Sequence, residues 1–215
     1  MKLTKYAHAC AVIENAGERL VIDPGGYSPD FTPPESDVVA IIITHVHPDH
    51  FDKNKLAGLL QKNPSAAVFT TEQVASQLPD QRNVTTPSAG QSFTVGSFEL
   101  QFFGGQHATI FPDHPADQNI AVLINSSLYY PGDSFAIPEG AAVQTLLAPA
   151  AAPWMKISEA MDFIAAVKPS VLVVPTHDAI LSETGQGLAD TLLTPHAEAS
   201  GATYRRLTSG ESVDI

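Results

Sequence analysis

The chain has 215 residues, of which 44% are hydrophobic and 16% are charged, so it carries enough apolar material for a substantial core. It contains 11 basic and 23 acidic residues, which give a net charge of −12. This balance argues against nucleic acid and anionic membranes as partners, because both require basic patches. We therefore expect one domain over residues 1–215, located in the cytoplasm, with no transmembrane segment.

The first quarter of the chain reads as short strands followed by one helix. Apolar segments separated by turn residues predict strands over 2–6, 10–14 and 19–22. The lone cysteine, Cys10, excludes an intrachain disulfide and is expected to be a small buried residue in the second strand. Val38–Ile43 is an apolar, β-branched run, typical of a strand buried on both faces. A helix is predicted over 52–62.

The rest of the chain alternates strand-like and helix-like segments. Strands are predicted over 66–70, 92–95, 98–103, 120–125, 128–130, 145–148, 171–175, 203–207 and 212–214, and helices over 72–78, 158–167 and 187–199. Ser158 is expected to cap the second of these helices. Fully apolar strands between helices indicate a layered α/β protein.

The segment THVHPDH, residues 44–50, carries the strongest chemical signal. His45, His47, Asp49 and His50 follow directly after the apolar run, at the strand end where open α/β sheets place their sites. In extended chain His45 and His47 point to the same side, whereas Asp49 and His50 leave the next turn in different directions. Side chains that converge on two neighbouring points predict two metal ions. The alternative is a solvated turn that binds nothing.

Further candidate ligands follow later strands. His107, Asp133 and His177 each come directly after a strand-like segment. Side chains at strand ends are the positions where a sheet scaffold holds ligands rigidly. We therefore expect these residues to join the first cluster.

Together these motifs resemble those of the metallo-β-lactamase superfamily. HVHPDH at His45–His50 matches its H-x-H-x-D-H signature, and GGQH at His107, GD at Asp133 and PTH at His177 match its later ligand motifs. VIDPG at Asp23 matches its first motif. The motifs occur in the family order over nearly the whole chain. The N-terminal YAHACAVIE resembles the branch of small metal-dependent hydrolases that includes ascorbate-phosphate lactonase-like proteins.

The resemblance implies a four-layer αββα sandwich with the site along one edge of the two sheets. It also implies seven metal ligands: His45, His47 and His107 for the first metal, Asp49, His50 and His177 for the second, and Asp133 as the bridge. Imidazole and carboxylate ligands suit Zn²⁺, and Mn²⁺ or iron accept similar sets.

Two divalent ions that share a water lower its pKa toward about 7 and make it a nucleophile. With two aspartates and a hydroxide the inner site carries about +1, which favours a developing oxyanion or an anionic group on the substrate. The predicted function is a metal-dependent hydrolase that cleaves an ester, a lactone or a phosphodiester in a small-molecule substrate. The alternatives are an iron-dependent sulfur dioxygenase and a metal-binding module without turnover.

The candidate catalytic residues are Asp49 and His8. The small-hydrolase branch also carries a histidine near the position of His8, so His8 is expected to face the metals and to bind substrate or donate a proton. A structural histidine is the alternative. Asp23 is either a turn residue or a partner that orients a ligand histidine.

Three other residues are expected to lie at the surface or in the core rather than in the site. His114 is expected to lie in a surface loop, and Trp154 and Met155 are expected to pack in the core rather than to line a substrate wall.

Overall fold

Two seven-stranded sheets face each other in the computed structural model, which describes residues 1–78 and 82–215. The first sheet consists of β1 (Lys2–Lys5), β2 (Ala11–Asn15), β3 (Glu18–Ile22), β4 (Val38–Ile42), β5 (Ala67–Phe69), β6 (Val84–Thr85) and β14 (Glu211–Asp214), in the order β14-β1-β2-β3-β4-β5-β6. The second consists of β7 (Ser92–Val95), β8 (Phe98–Gln106), β9 (Gln118–Ile124), β10 (Leu128–Tyr130), β11 (Thr145–Pro149), β12 (Leu172–Thr176) and β13 (Thr203–Tyr204), in the order β13-β12-β11-β10-β9-β8-β7.

The helices lie on the outer faces of the two sheets. They are α1 (Lys53–Lys62), α2 (Glu72–Ala75), α3 (Ile157–Val167) and α4 (Glu183–Ala199). Leu56 and Leu59 of α1 pack on the first sheet, and Phe163 and Ile164 of α3 pack on the second. None of the helices in the described part of the chain combines the length and the apolar composition needed to cross a membrane. The predicted four-layer αββα sandwich is confirmed.

The core between the sheets is built from alternate residues of each strand. Ile22 and Ile42 of the first sheet pack against Phe98, Phe102 and Val174 of the second. Successive side chains on a strand point to opposite faces, so the residues between these ones face the helices. Burying both faces in this way requires the unbroken apolar runs seen in the sequence.

The two fully apolar strands behave as predicted. In β4, Ala40 and Ile42 face the other sheet, whereas Ile41 belongs to the layer under α1. In β12, Val174 faces the other sheet and Val173 faces α3.

Strand direction brings the ends of several strands to one edge. Strands β3 to β6 run parallel to one another, and so do β10 to β13. The carboxyl ends of β4 and β12 therefore lead into THVHPDH and into His177. The carbonyl of Thr44 accepts a hydrogen bond from the backbone N–H of Ile120 in β9, at 3.0 Å, which joins the two sheets at this edge.

Three helix starts differ from the prediction, and the first is α1, which begins at Lys53 with Asp52 as its N-cap. Helix α3 begins at Ile157, before the predicted cap Ser158, because the Glu159 carboxylate accepts the backbone N–H of Lys156 at 2.6 Å. Helix α4 begins at Glu183 rather than at residue 187. The Ser182 hydroxyl caps it by accepting the N–H of Gly185, so the glycines that weakened the helical pattern lie inside the helix.

Other boundaries shift by a few residues. Strand β8 continues to Gln106 instead of ending at 103, because its last residues pair with β9 down to Gln118. Helix α2 ends at Ala75 rather than at 78, and β13 ends at Tyr204 rather than at 207. The short strand β6 was not predicted.

Removing a large side chain from the layer between the two sheets is expected to lower the stability of the protein strongly. Phe102 is fully buried and touches Phe69 and Phe93, so Phe102→Ala is expected to lower the free energy of unfolding by about 3–5 kcal/mol. Urea denaturation measures this change. The control Phe111→Ala removes a phenyl ring that is 64% exposed, and its effect should stay within about 0.5 kcal/mol. Equal losses in both variants would contradict this account of the core.

Candidate metal centre

Eight histidine and aspartate side chains meet at the edge where the strands end. They form two groups, His45, His47, His107 and Asp133 in the first, and His8, Asp49, His50 and His177 in the second. Within each group one nitrogen or oxygen of every residue lies within 4.8 Å of those of the others. The structure thus brings together the residues predicted as metal ligands and adds His8 to the second group.

Asp133 lies between the two groups. Its Oδ2 is 3.3 Å from Nε2 of His107 and 3.0 Å from Nε2 of His177. Its Oδ1 is 3.2 Å from Nε2 of His50. The carboxylate therefore faces histidines of both groups, as a shared ligand would.

Four of the histidines are oriented by a partner at Nδ1. Nδ1 of His45 contacts the Thr44 hydroxyl at 3.0 Å, and Nδ1 of His50 contacts Asp23 at 2.7 Å. The carbonyls of Ala108 and Ala151 accept from Nδ1 of His107 and of His177, at 2.5 and 2.6 Å. In each ring Nδ1 makes the outer contact, so Nε2 is the nitrogen that points into the cluster.

His47 uses the opposite nitrogen. Its Nε2 lies 3.1 Å from Asp117 Oδ2, and Gln73 donates to the other oxygen of Asp117 at 2.9 Å. The nitrogen of His47 that remains available is Nδ1.

The inward nitrogens fit a cation. Nε2 of His45, His50 and His107 is buried and has no hydrogen-bond partner within residues 1–78 and 82–215. A buried polar atom without a partner costs about 1–3 kcal/mol, so three of them around one carboxylate form an arrangement that a bound cation would stabilise. Imidazole and carboxylate donors are those that Zn²⁺ and similar metals prefer.

Asp23 orients one histidine of each group through hydrogen bonds. Its Oδ2 accepts hydrogen bonds from His50, from the Tyr130 hydroxyl at 2.8 Å and from the Thr44 hydroxyl at 2.7 Å. The Thr44 hydroxyl in turn accepts from His45, because its own hydrogen is given to Asp23. One fully buried carboxylate thus fixes a histidine in each group.

The backbone around the site adopts conformations that are rare for these residues. His8, Asp23 and His177 have φ values of 60°, 42° and 57°. A non-glycine residue in this region costs free energy and persists where the surroundings hold it. The absence of a side chain at Gly25 lets the backbones of residues 25 and 49 lie close together. A Cβ at residue 25 would lie 1.8 Å from the carbonyl oxygen of Asp49.

The charges at the centre compensate each other. Burial works against the ionised form of Asp133, but the charge of His50 holds the pKa of this carboxyl well below its usual value. Burial also disfavours a proton on His50, yet Asp133 and Asp23 raise its pKa well above the usual value. The pKa of His177 rises to about 9 in spite of burial, because Asp133 and Asp49 accept its hydrogen bonds. Without a metal, protons on histidine supply the positive charge that the carboxylates require.

Sequence motifs did not identify several other residues of the site. Asp117 and Tyr130 gave no motif signal, since their partners are 70 and 107 residues away in the chain. Trp154 was expected to pack in the core, but its indole N–H donates to Asp133 at 3.0 Å. The expectation for Met155 is confirmed, as it packs against the core under α3. His114 is exposed beside Phe111, as predicted.

The comparisons with known proteins agree with this geometry. The family model described as "Beta-lactamase superfamily domain" matches residues 2–177. The chain therefore belongs to the metallo-β-lactamase superfamily, and this places it among the metal-dependent hydrolases of that fold.

Three similar proteins cover much of the chain. Protein Rv0786c of Mycobacterium tuberculosis is 39% identical over 193 residues, which are 87% of this chain and 89% of that protein. A protein of Flavobacterium johnsoniae named UPF0173 metal-dependent hydrolase is 25% identical over 146 residues, 62% of each chain. The structure of Igni18, described as a novel metallo hydrolase from Ignicoccus hospitalis, superposes with a TM-score of 0.74 at 20% identity and covers 99% of this chain and 97% of its own.

The position of Asp23 predicts a loss of metal affinity on substitution. In Asp23→Asn one carboxylate oxygen becomes an NH₂ group, which at the Oδ2 position cannot accept from His50, Thr44 or Tyr130 and at the Oδ1 position opposes the backbone N–H of Thr44. We expect Zn²⁺ to bind about 10- to 100-fold more weakly, measured by competition with a chromophoric chelator. Asp30→Asn, at an exposed position, is the matched control and should bind like the wild type. Equal affinity in the two variants would show that Asp23 does not orient the histidines.

Proposed function

We propose that this protein is a hydrolase with a dinuclear metal centre, most suited to Zn²⁺, that activates a water to cleave an ester, a lactone or a phosphodiester. The observation that carries the proposal is the set of partnerless, buried Nε2 atoms of His45, His50 and His107 around Asp133. Histidines that only stabilise a fold are satisfied on both ring nitrogens or exposed to water. Here the outer nitrogen is held by a hydrogen bond, and the inner one faces Asp133 at 3.2–3.8 Å without a hydrogen bond, an arrangement that suits a metal site.

The proposed ligands divide between two ions. His45 and His107 through Nε2, and His47 through Nδ1, would hold the first ion. Asp49, His50 and His177 would hold the second, and Asp133 would contribute to both. This division follows the two groups of side chains and the contacts of Asp133 with histidines of each.

Two bound divalent ions would supply a Lewis acid that lowers the pKa of a shared water toward about 7 and stabilises the developing oxyanion. The chain itself supplies the orientation of the donors, a nearly water-free surround and the carboxylates. Zn²⁺ is favoured by the mixture of imidazole and carboxylate donors, and Mn²⁺ or iron would fit the same set.

Asp49 and His8 are the proposed catalytic residues. The Asp49 side chain is 15% exposed, against 3% for Asp133, so of the two it is the carboxylate that a substrate or water can reach. His8 Nε2 lies 3.0 Å from Asp49 Oδ2. Burial lowers the pKa of His8, so the neutral ring carries its proton at Nε2 and donates a hydrogen bond to Asp49. In spite of burial, the hydrogen bonds from His177 and His8 hold the pKa of Asp49 below its usual value, so the carboxylate stays ionised and can accept a hydrogen bond that orients the attacking water.

The substrate is proposed to be a small molecule with an anionic or carbonyl group. The net charge of −12 makes nucleic acid an unsuitable substrate. The choice between lactone, ester and phosphodiester, and with it the ascorbate-phosphate lactonase-like branch, stays a prediction. Location in the cytoplasm also stays a prediction.

Removal of the shared carboxylate tests the dinuclear centre. Asp133→Ala is expected to lower metal content from two ions per chain to below one, because both positions lose a ligand and a negative charge. Elemental analysis after Zn²⁺ loading and desalting measures the stoichiometry. Asp113→Ala removes an exposed aspartate of the loop after His107 and should retain two ions. Two ions per chain in Asp133→Ala would refute the shared ligand.

The role of His8 is tested with His8→Asn. On the substrate identified by screening esters, lactones and phosphodiesters, kcat should fall about 10- to 100-fold while two metals remain bound, because Asp49 loses the donor that orients its carboxylate. His196→Asn, on α4, is the control and should keep the wild-type kcat. Loss of one metal in His8→Asn would instead make His8 a ligand.

The metal-bound wild type separates hydrolysis from the alternatives. Chelation with EDTA should abolish turnover, and Zn²⁺ should restore it. Restoration by iron alone, accompanied by oxygen consumption with a persulfide, would favour the dioxygenase. Absence of turnover across all three substrate classes would favour the non-catalytic module.

A further inference from the structure

The segment between β11 and α3 holds one side chain from each group of the candidate metal centre. The indole Nε1 of Trp154 donates to Asp133 Oδ2 at 3.0 Å. Three residues earlier, the carbonyl of Ala151 accepts from Nδ1 of His177 at 2.6 Å. A backbone hydrogen bond from Met155 to the carbonyl of Ala152, at 3.3 Å, closes the turn between them. A single short turn therefore contacts both groups from outside.

The contact of Trp154 falls on the oxygen of Asp133 with the most neighbours. Oδ2 faces Nε2 of His107 and of His177, whereas Oδ1 faces His50. A carboxylate oxygen offers two lone pairs, and the indole N–H takes one of them. The N–H neither ionises nor ligates a metal, so it fixes the carboxylate without competing for the ion.

The ring of Trp154 is itself held in place. Its edge contacts are with Phe135, His107 and His177, at centroid separations of 5.4, 5.8 and 6.1 Å. Phe135 in turn packs on Phe163 of α3 at 5.3 Å. Aromatic contacts of this kind restrict the ring and aim the N–H. The core under α3 therefore supports the position of Asp133 through two aromatic residues in contact, Phe135 and Trp154.

We infer that Trp154 is a positioning residue for the Asp133 carboxylate and that its emission reports metal occupancy of both groups. The inference rests on the proposed dinuclear centre. Because Asp133 would serve both ions, loss of its orientation should weaken both rather than one. Trp154 is the sole tryptophan of the chain, so the fluorescence of the whole protein comes from this site.

The unsubstituted protein provides the first measurement. Metal-free wild-type protein is titrated with Zn²⁺ alone, and tryptophan emission is followed. Zn²⁺ places positive charge beside the Asp133 carboxylate that accepts the indole N–H, so emission should shift and reach a plateau at two Zn²⁺ per chain. An emission spectrum that stays constant while two Zn²⁺ are bound would overturn the inference.

Two substitutions separate the hydrogen bond from the packing. Trp154→Phe keeps an aromatic ring against Phe135 but removes the donor, and it should bind Zn²⁺ about 10- to 100-fold more weakly in chelator competition. Phe135→Leu removes the supporting ring and keeps the indole N–H, so it should lose less Zn²⁺ affinity than Trp154→Phe and should keep an emission response. Circular dichroism of each variant verifies the fold.

The outcomes distinguish this inference from the proposed function. Wild-type protein that takes up no Zn²⁺ would overturn both. Wild-type protein that binds two Zn²⁺, together with unchanged affinity in Trp154→Phe, would overturn the role of Trp154 alone. Weaker binding in Trp154→Phe than in Phe135→Leu supports it. If Trp154→Phe does not fold, the emission of the wild type decides.

Discussion

The hydrogen bonds to the Asp23 carboxylate are the interaction on which the site depends. This buried group accepts from His50 directly and reaches His45 through the Thr44 hydroxyl. Each ring is thereby held through its outer nitrogen, Nδ1, and turns Nε2 toward Asp133. A buried carboxylate without such donors would be very costly, so the same contacts that orient the histidines also allow Asp23 to be buried.

The sheets supply the second constraint, which is rigidity. Parallel pairing in each sheet directs β4 and β12 to the same edge, and the Thr44–Ile120 hydrogen bond ties the two sheets there. Side chains just beyond these strands have well-defined positions, because both faces of the strands are packed and the strands cannot move. The left-handed conformations of His8 and His177 are maintained by this surround.

The turns around the site supply further contacts to the candidate ligands. Asp117 orients His47, and the turn from Ala151 to Trp154 contacts His177 and Asp133. Under the proposed function, residues of such turns would determine which substrate reaches the site, while the strands determine where the candidate ligands lie. Family membership therefore defines the reaction class more closely than it defines the substrate.

Local sequence determined the features that repeat along the chain. The apolar runs specified the buried strands, and the strand-end motifs specified His45, His47, Asp49, His50, His107, Asp133 and His177 as one candidate cluster. The resemblance to the superfamily then specified the four layers. Element boundaries were less certain, since capping by Glu159 and pairing of β8 with β9 depend on neighbours that propensity does not describe.

Only the tertiary structure decided how the candidate ligands are supported. The partners Tyr130 and Asp117 lie 107 and 70 residues from the groups they contact, and Trp154 reaches Asp133 across a turn and a strand. No periodicity or motif encodes a contact at such separations, because it arises when the two sheets pack. The sequence thus determined the donors, and the packing of the sheets determined which nitrogen of each histidine faces the centre.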